Sequence, residues 1–98
     1  MRTIYRYDIK LQEEQEIYVP ELSFGNMKSA FQGQVLKVDM IRGIPSIWCL
    51  VDTNMPSRKV KIRLVGTGWV VPDNILNGDY LGSFILGDSE IYHLFVEY

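Results

Sequence analysis

The sequence predicts a mainly β protein, a compact antiparallel β-sandwich or strongly curved sheet of about seven strands with one insertion that carries a loop and a short helix. Three observations lead there. Apolar and polar residues alternate with period two through most of the chain. Val, Ile, Tyr, Phe and Trp gather in the alternating runs, and clusters of turn residues separate them.

The first run, RTIYRYDIKL, places Tyr5, Tyr7, Ile9 and Leu11 on one face and Arg6, Asp8 and Lys10 on the other. A second, EIYVP, stops at Pro20. The segment ELSFGNMKSAFQGQ, residues 21–34, does not alternate. It spaces Phe24, Met27 and Phe31 as one or two helical turns would, with Gly25 and Gly33 interrupting it. In QVLKVDMIR, Leu36, Val38 and Met40 oppose Lys37 and Asp39. GIP then supplies a hairpin turn into SIWCLVD, which is apolar on both faces and reads as a central strand covered on both sides, with Trp48 in the core. After TNMPS, the run RKVKIRLV points Val60, Ile62 and Leu64 one way and Lys59, Lys61 and Arg63 the other. YLGSFIL and EIYHLFVEY close the chain as a hairpin around GDS.

At 98 residues the chain is expected to be one domain, 1–98. A domain of this size buries only about 60 to 65% of its unfolded surface, so association would add stability. With 47% hydrophobic residues against 22% charged ones it is too apolar to be disordered. No apolar run approaches the ~18 residues of a membrane span, and MRTIYRYDIK does not read as a signal peptide, so a cytosolic protein is expected. The single cysteine, Cys49, has no cysteine partner for a disulfide or a zinc site and reads as a small buried apolar residue. A net charge of −2 does not point to a DNA-binding protein. Charge is nonetheless segregated: EEQEIYVPE, residues 13–21, holds four acids, and RKVKIR, residues 58–63, holds four bases.

Catalysis is not expected. Nucleophilic catalysis needs a base beside the nucleophile, and the sole histidine, His93, sits in mid-strand between Tyr92 and Leu94 and reads as a packed or interface residue. Asp52, Asp73, Asp79 and Asp88 fall at turns, where aspartate bonds local backbone amides. One histidine, one cysteine and no DxDxD cluster argue against a metal, and no cofactor is expected.

LVGTGWVVPD, residues 64–73, is not a P-loop, because no Gly-Lys-Ser/Thr follows and the pattern stays extended from Trp69 to Pro72. Gly66 and Gly68 have two readings. They form a bulge or bend that re-aims the chain, or, with Thr67, they line an anion site that a backbone can approach closely. Trp69 would then offer a ring for stacking, and Lys61, Arg63 and Arg58 a charge for phosphate. The basic run likewise reads either as a ligand face or as a solvated strand protected by lysine or paired with the acidic 13–21 segment.

The stretches RTIYRYDIK, VLKVDMIRGIPSIWCLVD, KIRLVGTGWVVPD, YLGSF and IYHLFVEY resemble, in the same order, a family of small phage-encoded β proteins. That family looks like the viral sponges that counter CBASS immunity by sequestering a cyclic nucleotide. Residues 21–34 are longer than its usual link. The resemblance implies a non-enzymatic homo-oligomer, a tetramer, that holds a cyclic GMP-AMP-type dinucleotide in the cytoplasm of an infected bacterial host, with no role for membrane or DNA. A symmetric assembly would offer each half of such a ligand the same residues. Ligand contacts are expected from Arg63, Lys61, Thr67 and Trp69 with Gly66 and Gly68, phosphate contacts from Arg58 and Arg42, and stacking from Tyr5 or Tyr7. The alternative is an interaction module that inhibits a host enzyme or receptor through its β surface. A phosphodiesterase acting on the same signals is a third, and it lacks the histidine pair.

Overall fold

The computed structural model describes all 98 residues and is mainly β, with antiparallel sheets throughout. Seven strands are long: β1 (Arg2–Asp8), β2 (Glu14–Pro20), β5 (Val35–Ile41), β6 (Ile44–Asp52), β7 (Ser57–Gly66), β8 (Asp79–Leu86) and β9 (Glu90–Glu97). Two short ones, β3 (Ser23–Phe24) and β4 (Met27–Lys28), pair as a miniature hairpin before the four-residue helix α1 (Phe31–Gln34). A 3-10 turn, Asp73–Ile75, precedes β8. No helix is long and apolar enough to cross a membrane.

Two sheets face each other, one ordered β1-β6-β5 and the other β2-β7-β9-β8. Their inner faces supply a shared core in which Ile47, Cys49 and Val51 of β6 meet Val60, Ile62 and Leu64 of β7, Leu94 and Val96 of β9, and Phe84 of β8. This follows from the alternation of the strands, most plainly in β6 and β7, where one face supplies most of the buried side chains. Burial raises the Cys49 thiol to about 12, which keeps it protonated and inert.

The sheets come closest where β5 crosses β8. A register shift between Tyr80 and Gly82 bulges β8, and Gly82, at φ +149°, lets the Val38 side chain press against the backbone. The β5–β6 hairpin turns on Arg42 and Gly43, both at positive φ (51° and 79°), as a two-residue type I′ turn requires. That turn, rather than GIP, reverses the chain.

Three local expectations are corrected. Phe24 and Met27 lie on the β3–β4 hairpin, reversed at Gly25 (φ +62°), and are exposed; only Phe31 belongs to a helix and is buried. Leu36 is exposed because β5 shifts register between Val35 and Lys37, so Val35 takes its place on the inner face beside Val38 and Met40, which turn inward as expected. Strand β6 is central, but on its outer face Trp48 and Leu50 stay half-buried, and only Ser46, between Asp8 and Asp39 by register, is fully buried there.

One buried amide ties the sheets together. The Gln34 Nε2 donates to the carbonyls of Pro20 (2.9 Å) and Leu50 (3.0 Å), while its Oε1 accepts from Arg58. Gln34 is fully buried, and its amide oxygen and nitrogen each have a partner.

Candidate functional site

Residues 66–69 form a tight turn. The Trp69 amide donates to the Gly66 carbonyl (3.0 Å), and Gly68, at φ +91°, occupies the position where a type II turn needs a left-handed residue. The turn folds the Trp69 indole back over Gly66, where a Cβ would lie 2.6 Å from the ring. Trp69 then packs edge-on against Tyr92 (5.8 Å between centroids), which stacks on Phe84. Both glycines are thus explained by a bend. The open side of the turn forms a hollow of about 370 Å³ lined by Gly66, Thr67, Trp69, Ser89, Glu90, Ile91 and Tyr92. It contains a carboxylate and no base.

Thr67 lies at one end of a row of polar contacts. Its hydroxyl is within reach of the Ile91 carbonyl (3.0 Å) and of His93 Nε2 (2.9 Å), and His93 Nδ1 lies 3.1 Å from the Tyr80 hydroxyl, so the imidazole bridges the turn after β7 to β8.

The basic strand is neutralised by its neighbours. Register pairs Glu14 with Arg63, Glu16 with Lys61 and Lys61 with Glu97, so acids from β2 and β9 flank the β7 bases on the outer face. Lys61 Nζ meets Glu14 (2.8 Å) and Glu97 (3.1 Å), and Arg63 meets the same two carboxylates at 3.2 Å each. Asn74, from the 3-10 turn, donates to Glu97 as well. The Lys61 hydrogen bond holds the Glu14 carboxyl below its ordinary range, and the bonds to Glu14 and Glu97 raise Lys61. Lys61 and Arg63 therefore each already face two carboxylates, which a phosphate would have to displace. Lys59 is freer: its one acidic partner, Glu16, lies at 3.5 Å and both side chains are well exposed.

Arg58 shares its side of β7 with Val60 and Ile62 and points inward, away from Lys59, Lys61 and Arg63. It donates to Ser29 O (3.1 Å) and to Gln34 Oε1, and its Nε, shielded from solvent, has no hydrogen-bond partner. Beside it β9 runs out: its last pair with β7 is Lys61–Glu97, and the stretch from Ser57 to Val60 is paired only with β2. The gap is a hollow of about 270 Å³ with Phe31, Val60 and Val96 as its apolar lining and Arg58, Lys59, Lys61, Glu97 and Tyr98 as its polar one. Tyr98 is held over it by a bond from its hydroxyl to Asp79 (2.6 Å); burial, and then that bond, raise its phenol.

The expected site residues thus divide. Gly66, Thr67 and Trp69 line one hollow, with Gly68 at the turn beside it, Arg58 and Lys61 line another, and Arg63, ion-paired with Glu14 and Glu97, meets Trp69 in a third, small hollow of about 50 Å³. Arg42 sits at an exposed hairpin tip in the other sheet. Tyr5 and Tyr7 pack edge-on (6.4 Å) on the inner side of β1, and burial raises the Tyr7 phenol to about 12. The inward aim of Arg58 was legible, since it shares parity with Val60. Phe31 and Tyr98 carried no such signal, because their meeting depends on where β9 stops.

No curated protein and no solved structure shows a significant match to the chain. One family model matches residues 1–98, that of a domain of unknown function, and the chain belongs to that family, DUF7352.

Proposed function

We propose that the protein is a phage anti-defence protein that binds an anionic cyclic dinucleotide of the cyclic GMP-AMP type and withholds it, uncleaved, from its receptor. The observation that carries the binding half of this reading is the hollow at the end of β9. It combines an apolar lining, the exposed ring of Tyr98 and three bases, Arg58, Lys61 and a loosely paired Lys59, against one acid, Glu97. A phosphate oxygen would give Lys59 a better partner than an exposed carboxylate, beside the positive charge of Arg58. Tyr98, Val60 and Val96 suit a sugar or base. The turn at Gly66–Trp69 is less suitable for an anion, because Glu90 is the charged group that lines it. At about 270 Å³ the hollow falls below the ~300 to 1,000 Å³ of most ligand pockets, which suits one half of a dinucleotide and hence a homo-oligomeric site. The phage setting, the host cytoplasm and the tetramer rest on the sequence resemblance.

Calorimetric titration with a panel of cyclic di- and trinucleotides tests the reading. Binding at low-micromolar affinity or tighter, with intact ligand recovered after heat denaturation, is the expected result. Absence of binding across the panel rejects it, and recovery of linear product turns it into hydrolysis. A second reading, an interaction module for a host protein, is favoured by Phe24 and Met27, which the β3–β4 hairpin displays at 55% and 76% exposure. Loss of partner binding in the doubly substituted Phe24→Ser, Met27→Ser protein, with no nucleotide bound by wild type, would favour it.

A further inference from the structure

The outer face of the β1-β6-β5 sheet has no further sheet packed on it, and register fixes its rows: Arg2 with Asp52 at one end, where Arg2 meets Ser23 and Phe24 of the β3–β4 hairpin, and four rows beyond it. Ile4 and Leu50 make an apolar row with Leu36 beside them at the bulge; Arg6, Trp48 and Lys37 make a basic one; Asp8, Ser46 and Asp39 an acidic one; and Ile44 with Ile41 a second apolar one. Ile4, Leu36 and Ile44 are 55%, 54% and 42% exposed on this one face, Ile4 and Leu36 flanking Leu50. The charged side chains are also free to re-pair. Arg6 meets Asp8 at 3.6 Å and Lys37 meets Asp39 at 3.4 Å, each along its own strand and each well exposed.

The order apolar, basic, acidic, apolar is its own complement when reversed. We propose that this face is the interface with a second copy of the chain, packed face to face about a two-fold axis that runs across the strands between the Trp48 and Ser46 rows. That operator sets Arg6 against the partner subunit's Asp8 and Lys37 against the partner subunit's Asp39. It also sets the Ile4–Leu50 row against the partner subunit's Ile44 row. A two-fold axis along the strands would instead oppose Arg6 to Lys37 and Asp8 to Asp39, so the charge rows select one of the two ways in which the sheets can stack. Three strands about 4.8 Å apart and seven residues of about 3.4 Å rise give a flat footprint of roughly 350 Å² per copy. Two copies would bury about 700 Å² in all, below the ~1,200 Å² at which stable interfaces begin, so the association is weak and concentration-dependent. The inference is independent of the ligand reading.

A charge-swap experiment tests it, with mass measured by sedimentation or light scattering at about 100 μM protein. The wild type is expected at the mass of two copies or a multiple of two. The all-acidic protein (Arg6→Glu with Lys37→Glu) and the all-basic protein (Asp8→Lys with Asp39→Lys) should each fall to half that mass. An equimolar mixture of the two should recover it, which would also show that both variants fold. A monomeric wild type, variants that keep the wild-type mass, or a mixture that does not reassemble would each overturn the proposal.

Discussion

Replacing Gly78 with alanine is expected to cost most of the protein's stability. The Cβ would overlap the Val96 carbonyl oxygen, with the Val96 carbonyl carbon at 3.0 Å and the Ile75 carbonyl oxygen at 3.4 Å. These are backbone atoms of β9 and of the turn that leads into β8, so no side chain can swing aside. Relief requires β8 to separate from β9 at the Asp79–Val96 pair, where the Tyr98 bond to Asp79 also lies. Against a total of about 5 to 15 kcal/mol for a native domain, a loss of at least 4 kcal/mol is expected, visible as a fall in melting temperature of more than about 15 °C or as insolubility. Gly33→Ala is the control: its Cβ would meet only the Ser29 Oγ at 2.8 Å, a hydroxyl that can rotate away. A Gly78→Ala melting temperature near that of Gly33→Ala would contradict the packing described.

Gln34→Leu should be the next most damaging change. Leucine has a similar volume but leaves the Pro20 and Leu50 carbonyls without their donor and deprives the Arg58 guanidinium of its side-chain acceptor. An unsatisfied buried group costs ~1 to 3 kcal/mol, and partial relaxation around three of them leaves about 3 kcal/mol, to be read from the midpoint of urea unfolding. A loss under about 1 kcal/mol would mean that these groups find other partners. Because Gln34 holds Arg58 at the hollow, the same variant should also weaken nucleotide binding, which links the fold to the proposed site.

The architecture was largely legible because strands report themselves through parity. The run 57–66 alternates as β7 does, and the acid and base segments were adjacent in space as well as opposite in charge. What parity cannot show is an inserted residue: the shift after Val35 reversed Leu36, and the bulge at Gly82 brought β5 onto β8. Nor does alternation reveal whether an apolar outer face is covered, which is why Trp48 seemed a core residue. Helical spacing misled at Phe24 and Met27, since a two-residue hairpin leaves no period to detect. The site was less legible still. Glycine beside a strand end serves a type II turn as readily as a ligand, and only the geometry around Gly66 and Gly68 separates the two. Gln34, the amide that aims Arg58, gave no sign in a polar insertion.

On the proposed reading an anionic nucleotide enters the hollow where β9 stops and not the Gly66–Trp69 turn. Titration of cyclic GMP-AMP into Lys59→Glu and Trp69→Ala proteins tests it most directly. Exchange of a charge-assisted contact for a repulsive one predicts a loss of about tenfold or more for Lys59→Glu, with Trp69→Ala within about threefold of wild type. Wild-type affinity in Lys59→Glu together with lost binding in Trp69→Ala would contradict the account and place the ligand at the turn.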